Sequence, residues 1–307
     1  MVTGDDRSRK SRWCAYLVEW LKLAPSRPPI CGGLYFLAAR SLQGCDMALS
    51  FAHQIGASSL TMTKQTVSFL GLTFRPMTTA DAASELVRMA GAGNPFEYVV
   101  TPNVDHMIRL HDEPALRPLY DGAGLLVNDS RILEMLAERD GLTFPASPGA
   151  DIVAALFEGE IKPDEPVVVI GSTDEDVDNV AAKFGLTNIH RHDAPMGLRR
   201  KPDAVQAAAV FMAAHPARFH FICVGSPQQE MVALAAKQHG SVTGIGICCG
   251  ASLDFLSGST ARAPGWIRRA RLEWFHRMLS EPRRLVKRYL VDGPKIFKIW
   301  RNWRKDN

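Results

Sequence analysis

The sequence lacks any apolar run long enough to cross a membrane. Its apolar stretches, such as residues 30–39 and 219–224, fall well short of the roughly 20 residues that a membrane-spanning helix needs. The basic run at residues 7–12 leads into a segment that Glu19 and Lys22 interrupt, unlike the clean apolar run of a secretory signal. We therefore expect neither a transmembrane helix nor a signal peptide.

The cysteines include no Cys-x-x-Cys pair. The six of them stand at positions 14, 31, 45, 223, 248 and 249. This spacing, with two cysteines adjacent, suits neither a simple disulfide framework nor a structural zinc site. It favours a reducing, cytoplasmic compartment.

Sequence signatures of several common enzyme classes are also missing. Gly244, Gly246 and Gly250 do not form the G-x-G-x-x-G fingerprint of dinucleotide-binding proteins. The chain contains no Walker A lysine loop, no G-x-S-x-G elbow and no H-E-x-x-H pair. These absences argue against nucleotide-dependent redox chemistry, ATP hydrolysis, serine-esterase and zinc-protease activities, and we expect no cofactor.

Positive charge is concentrated near the C-terminus. Residues 262–307 carry 14 Lys or Arg against four Asp or Glu, and they hold four of the six tryptophans. The first 261 residues carry 22 basic and 28 acidic side chains, so the overall net charge of +4 hides two oppositely charged parts. A basic, aromatic segment suits a polyanion, either nucleic acid or an anionic membrane.

The chain is long enough for one main domain with appendages, since it has 307 residues of which 46% are apolar. Residues 1–62 show no lasting periodicity, and we interpret them as an N-terminal extension that is in part disordered. From Val67 onward, apolar strand-like runs alternate with helical stretches. This pattern predicts a Rossmann-like α/β core over residues 63–261, with a mostly parallel sheet flanked by helices. We expect residues 262–307 to form a basic helical appendage that associates with the membrane and completes the active site.

Five predicted strands run directly into small or polar residues that precede a helix. The turns are Thr101-Pro102-Asn103, Asn128-Asp129-Ser130, Gly171-Ser172-Thr173, Gly225-Ser226-Pro227 and Gly250-Ala251-Ser252. Such residues are good turn and capping residues in their own right. Five of them at the carboxyl ends of parallel strands nevertheless indicate one ligand-binding rim, where helix N-termini offer backbone N–H groups to phosphates.

Two carboxylates are candidates for chemistry at this rim. Asp129 follows three apolar residues with only Asn128 between, and partial desolvation would suit it to accept a proton. Its alternative role is the N-cap of a helix over residues 131–139. Asp254 follows the turn at Gly250 and either meets a ribose or base or caps a local turn.

Two other clusters resemble metal ligands, but another interpretation is favoured for each. The acidic residues 174–176 resemble a cation-binding motif, yet acids in the first turn of a helix stabilise its dipole without a metal. His190 and His192 have the spacing of ligands on a strand, but a third ligand is not evident, and a solvated loop is favoured. We assign no metal site.

Several ordered motifs together identify a family resemblance. They are G-S-P-Q-Q-E at residues 225–230, G-A-S-L-D-F-L-S-G at 250–258, R-A-P-G-W at 262–266, L-E-W at 272–274 and E-P-R-R at 281–284. From Val67 to Tyr289 the chain resembles the WecG/TagA/CpsF glycosyltransferases, glycosyltransferase family 26. The resemblance implies an inverting, metal-independent enzyme on the cytoplasmic face of the cell membrane. It would move a hexose or N-acetylhexosamine from a UDP-sugar to an undecaprenyl-diphosphate-linked saccharide in cell-surface or exopolysaccharide biosynthesis.

The resemblance also implies roles for particular residues. The proposed catalytic base of the family falls on Asp129, and its Thr-x-Asn element, which lines the substrate pocket, falls on Thr101 and Asn103. Its uridine-holding loop corresponds to Gly225, Ser226, Pro227, Gln229 and Glu230, beside Asp254. The arginines that close over the diphosphate correspond to Arg277 and Arg284, with Lys287 or Arg288 in the third place.

Two stretches depart from the family pattern. Many members have Pro-Asp-Gly around the base, where this chain has Asn128, Asp129 and Ser130. The usual Val-Thr-Gly-Ser-Asp appears as S-P-G-A-D at residues 147–151. Because the first departure lies against the sugar, a UDP-hexose other than UDP-N-acetylmannosamine, the best-known donor of the family, fits as well.

The basic appendage completes the interpretation. Trp266, Trp274, Trp300 and Trp303, interleaved with Lys and Arg, suit the headgroup layer of an anionic membrane. A solvated helix packed on its own domain is the structural alternative. Two functional alternatives are a catalytically silent UDP-sugar-binding scaffold and, less favoured, a nucleic-acid-binding protein.

Overall fold

The structure is a computed structural model that describes residues 65–91, 94–260 and 292–306. Element labels run in chain order over these residues. The strands are β1 Val67–Phe69, β2 Leu72–Phe74, β3 Glu97–Val100, β4 Leu125–Leu126, β5 Val167–Gly171, β6 Ile189–His192, β7 Phe219–Cys223 and β8 Ile245–Cys248. The α-helices are α1 Thr79–Met89, α2 Val104–Asp112, α3 Pro118–Asp121, α4 Arg131–Arg139, α5 Gly149–Gly159, α6 Asp174–Phe184, α7 Pro202–Ala214, α8 Gln228–His239, α9 Ser252–Ser257 and α10 Lys295–Asp306.

Six of the strands form one parallel sheet in the order β4-β3-β8-β7-β5-β6. The predicted Rossmann-like architecture, with a mostly parallel sheet flanked by helices, is confirmed. The connection from β7 leads to its neighbour β8 on one side, whereas the connection from β5 leads to its neighbour β6 on the other side. The crevice between β5 and β7 is therefore a topological switch point, the place where open α/β sheets bind ligands.

Burial explains which strands the sequence revealed. The side chains of β5 are fully buried, as are Phe219, Phe221 and Ile222 of β7, because helices cover both faces of the sheet. Each such strand therefore appears as a continuous apolar run in the sequence. All five predicted strands are present, and each predicted rim turn follows the carboxyl end of its strand.

The edge strand β6 corrects one prediction. His190 and His192 lie on a strand that pairs with β5, and not in a solvated loop. All four residues of β6 are half-buried, and the His190 and His192 rings pack near His215 and Phe211 with centroids 4.5 and 5.0 Å apart, respectively. A polar edge strand lacks the apolar run that marks a central strand. Among the described residues, no group of three potential ligands could hold a metal ion.

A small hairpin stands beside the parallel sheet. Strands β1 and β2 pair antiparallel through a turn at Leu70 and Gly71, whose φ angles of 50° and 82° suit a tight hairpin. Phe69 and Phe74 are fully buried, and both rings contact Phe144. The hairpin is thus anchored in an aromatic cluster.

Helix α10 packs its tryptophans on the domain. The Trp300 indole N–H donates to Oδ2 of Asp140 at 2.7 Å, and Nε of Arg304 lies 2.8 Å from the other carboxylate oxygen. The Trp303 ring lies 5.2 Å from that of Phe69. The expectation that these two rings meet membrane headgroups is wrong for the buried Trp300, and half-buried Trp303 is in contact with the hairpin. None of the helices described here is long and apolar enough to span a membrane.

The contacts of Asp140 with Trp300 and Arg304 predict that this carboxylate anchors α10 and contributes to stability. Replacing Asp140 with Ala leaves the Trp300 N–H and the Arg304 guanidinium without their partner, which should lower the free energy of unfolding by about 1–3 kcal/mol. Urea denaturation of the full chain measures it. The control is Asp121→Ala, which breaks an exposed ion pair with Arg117 and should cost at most about 0.5 kcal/mol. Equal losses in the two variants would contradict the anchor.

Candidate functional site

The turn after β3 places Asn103 between a helix and a carboxylate. Asn103 is the N-cap of α2, and its Oδ1 accepts the backbone N–H of Asp105 at 3.0 Å. Because that cap fixes the orientation of the side-chain amide, Nδ2 points the other way and donates to Oδ2 of Asp129 at 3.4 Å. One side chain therefore joins the β3 turn to the β4 turn.

Among the described residues, Asn103 and the backbone N–H at the start of α5 both donate to Asp129. Its Oδ1 accepts the backbone N–H of Gly149, the first residue of α5, at 2.8 Å. Ser130, not Asp129, caps α4, with its hydroxyl accepting the Leu133 N–H at 3.3 Å. The alternative role of Asp129 as that N-cap is thus excluded. The half-buried carboxylate acts as the acceptor in both contacts, which is the state that a general base needs before reaction.

Thr101 and Gly149 pack against each other beside this carboxylate. Thr101 is buried, and a Cβ added at Gly149 would come within 2.7 Å of the Thr101 hydroxyl oxygen. Only glycine therefore fits here without moving Thr101. Three predicted site residues, Thr101, Asn103 and Asp129, are brought together at one end of the sheet.

The turn after β7 is fastened to helix α2. Gly225 has a φ of +73°, which suits glycine, and the Ser226–Pro227 peptide is cis. The Arg109 guanidinium donates to Oγ of Ser226 at 2.8 Å and also pairs with Asp105. The loop predicted to hold uridine thus lies against the same helix that Asn103 caps.

Gln229 and Glu230 are buried beneath this loop. The Gln229 side chain accepts the Gly250 N–H at 2.9 Å and donates to Oε1 of Glu230 at 2.9 Å. Glu230 is 0% exposed, and its Oε1 lies 3.6 Å from Nε2 of His106. Burial by itself raises the pKa of Glu230, but its interactions with His106 and Gln229 outweigh burial and lower the pKa below its ordinary value. The two side chains organise the β7 and β8 turns from below.

The turn after β5 stores backbone strain. Gly171 and Ser172 both have positive φ, of 84° and 61°, and serine rarely adopts this conformation. The Ser172 Oγ is buried and has no hydrogen-bond partner among the described residues. Strained, unsatisfied residues concentrate at functional sites, so this turn at the switch point strengthens the case for the rim.

The acidic residues 174–176 form the first turn of α6, as the favoured interpretation predicts. Asp176 accepts hydrogen bonds from Thr173, the N-cap, at 2.6 Å and from Ser257 at 2.7 Å. Burial acts to raise the pKa of Asp176, but the bonds from Ser257, Ser259 and Thr173 lower it. Asp174 pairs with Arg191 at 3.0 Å. These carboxylates are thus engaged in helix capping and ion pairing.

The remaining predicted residues fall into two groups. Asp254 is half-buried in the first turn of α9, the helix that starts two residues after Gly250. Arg277, Arg284 and Arg288, with the alternative Lys287, lie outside the described residues, as do Trp266 and Trp274. A surface cavity of about 350 Å³ lined by Glu134, Glu138 and residues 141–145 contains none of the predicted site residues.

Three residues that contact the predicted ones were not themselves predicted. His106 and Arg109 lie on α2, and Gly149 donates to Asp129. His106 had a sequence signal, since it stands three residues after the N-cap Asn103, as in a capping box, and Gly149 lies in the S-P-G-A-D stretch. Arg109 and Ser226 are 117 residues apart, and no local pattern announces such a contact.

A comparison with known protein families identifies a match over most of the chain. The sequence model of the Glycosyl transferase WecG/TagA/CpsF family matches residues 67–307. The match starts where the resemblance was expected to start and continues past Tyr289, its expected end, through α10. It covers more than half of the chain, including every turn of the rim.

The strain at Ser172 gives a prediction about stability. Because a left-handed conformation costs a residue with a Cβ roughly 1 kcal/mol, Ser172→Gly should raise the free energy of unfolding by about that amount in urea denaturation. Ser172→Ala is the control, since it removes the hydroxyl but keeps the Cβ and the strain. A stabilisation as large in the alanine variant would show that the unpaired hydroxyl, not the backbone, carries the cost.

Proposed function

Because the chain belongs to the WecG/TagA/CpsF glycosyltransferase family, we propose that it moves a hexose or N-acetylhexosamine from a UDP-sugar to a polyprenyl-diphosphate-linked saccharide. The transfer inverts the anomeric centre and needs no metal. The observation that carries the proposal is the half-buried Asp129 carboxylate, held by Asn103 and Gly149 at the carboxyl edge of the sheet.

The proposed reaction is a single displacement. An acceptor hydroxyl oxygen attacks the anomeric carbon while its proton passes to a carboxylate oxygen of Asp129. The bond between the anomeric carbon and the diphosphate oxygen breaks, and its electron pair leaves with UDP from the opposite face of the sugar. Asn103 and Gly149 supply hydrogen bonds that aim the carboxylate before the reaction.

Charge on the departing diphosphate must be met by fixed donors. At the rim, Gly225 has a positive φ and presents no side chain to a ligand, whereas the Gly250 N–H is already donated to Gln229. We assign the closing cations to Arg277 and Arg284, with Arg288 or Lys287 in the third place. Because Glu230 is fully buried, its part is to shape the uridine loop while Ser226 and the loop backbone meet the nucleotide.

The proposal that no metal is needed is supported by the contacts of Asp174 and Asp176, two of the acids that resemble a cation-binding motif. Asp176 is occupied by Thr173 and Ser257, and Asp174 by Arg191. In this proposal the diphosphate charge therefore falls to arginines and backbone N–H groups.

The general base is tested by UDP release with a panel of UDP-sugars, a short-chain polyprenyl-diphosphate saccharide and EDTA. Release should need both substrates and resist EDTA. Asp129→Asn should lower turnover by about 10²- to 10⁴-fold, the usual cost of a lost general base. The amide keeps an acceptor oxygen for the Gly149 N–H, so UDP binding should change little.

Three other outcomes separate the alternatives. Near-normal turnover in Asp129→Asn would remove Asp129 from the mechanism. Tight UDP binding without turnover on any acceptor would support a scaffold, and loss of turnover in EDTA would overturn the metal-independent chemistry.

We further propose that α10 meets an anionic membrane surface, where the lipid-linked acceptor lies. With Ile296 and Trp300 packed inward, its exposed face carries Lys298, Arg301 and Lys305. Their spacing of three and four residues puts the three cations on one side of the helix. Each basic residue near an anionic membrane contributes about 1 kcal/mol to binding.

Neutralising that face tests the membrane contact. Changing Lys298, Arg301 and Lys305 together to Gln should weaken binding to phosphatidylserine-containing vesicles by roughly 10²-fold, measured by co-sedimentation. A matched control changes the exposed Lys162, Arg200 and Lys201 to Gln and should bind nearly as well as wild type. Equal losses would mean that net charge alone matters. Salt-sensitive binding to nucleic acid without vesicle binding would favour the nucleic-acid alternative.

A further inference from the structure

Helix α2 contacts both halves of the proposed site. Its N-cap Asn103 donates to Asp129. Arg109 donates to the loop after β7, and His106 contacts the first turn of α8, which follows that loop. His106 and Arg109 stand three residues apart, so they share one face of the helix. They meet the two ends of the same segment, Glu230 and Ser226, respectively.

The His106 ring is fixed on both sides. Its Nδ1 lies 3.1 Å from the backbone N of Asn103 and 2.9 Å from Oδ1 of Asn103. On the other side, Nε2 lies 3.6 Å from Oε1 of Glu230. The ring is 7% exposed and makes an edge-on contact with Tyr120 at 6.2 Å between centroids. A buried imidazole between two polar groups therefore fixes their separation.

Glu230 depends on this neighbour. It is fully buried, and its Oε2 has no hydrogen-bond partner among the described residues. Without His106, this buried carboxylate would keep the Gln229 hydrogen bond but lose its neighbouring imidazole, a cost that movement of Glu230 would relieve. Such movement would carry Gln229, which holds the Gly250 N–H. The β7 and β8 turns would shift together.

We propose that His106 is a positioning residue. Through Glu230, it couples the Asn103–Asp129 pair to the loop after β7, which is predicted to hold uridine. This inference rests on the proposed function. His106 does not touch substrate in this account; it sets the distance between the base and the turns that hold the donor. Its substitution therefore changes donor affinity through Glu230.

Two substitutions of His106 distinguish the contact made by Nδ1 from the contact made by Nε2. In His106→Asn, the short amide takes the place of Nδ1 beside Asn103 and cannot reach Glu230. In His106→Gln, the longer amide takes the place of Nε2 and keeps an N–H towards Glu230. UDP affinity, measured by isothermal titration, should fall about tenfold in His106→Asn, which lies within the usual range of coupling between two residues in direct contact. His106→Gln should stay within about threefold of wild type.

The control is His111→Asn, an exposed position on the same helix, which should bind UDP like wild type. Unfolding midpoints of all variants establish that each is folded at the titration temperature. Wild-type affinity in His106→Asn, or equal weakening in both His106 variants, would overturn the positioning role. Failure of the wild-type protein to bind UDP would instead overturn the proposed function, and this inference with it.

Discussion

The side chain of Asn103 joins local folding to the proposed chemistry. Its oxygen caps α2, which fixes the direction of the amide, and the amide then reaches Asp129. Because the cap and the contact use opposite ends of one rigid group, the start of α2 and the carboxylate cannot move independently. Through His106, the same helix turn reaches Glu230. The geometry of the rim thus derives from how one helix begins.

The sequence was sufficient for the central sheet and the position of the rim, but not for the contacts within it. Strands such as β5 are apolar on both faces, so periodicity finds them, whereas half-buried β6 gives no such signal. A sequence also could not decide between Asp129 and its neighbour Ser130 as the α4 cap, since both side chains suit that role. The contact of His106 with Glu230 joins residues more than 120 positions apart, and only the tertiary fold brings them together.

Helix α10 divides its aromatic and basic residues between two tasks. Trp300 is held by Asp140, and Arg304 stacks on the Trp300 ring at 4.9 Å. From composition alone, the tryptophans and the basic residues were predicted to form one membrane-binding surface. The structure separates them, because an amphipathic helix buries its apolar face wherever a complementary surface exists. Lys298, Arg301 and Lys305 are left facing outward.

The most direct test of the account is hydrogen–deuterium exchange of the full chain with and without UDP, since it measures where the nucleotide binds. The account predicts slower exchange in the rim turns, residues 225–230 and 250–254 above all, with a smaller change at 101–106. Protection confined to the surface cavity at residues 134–145, or no protection at any turn of the rim, would contradict it.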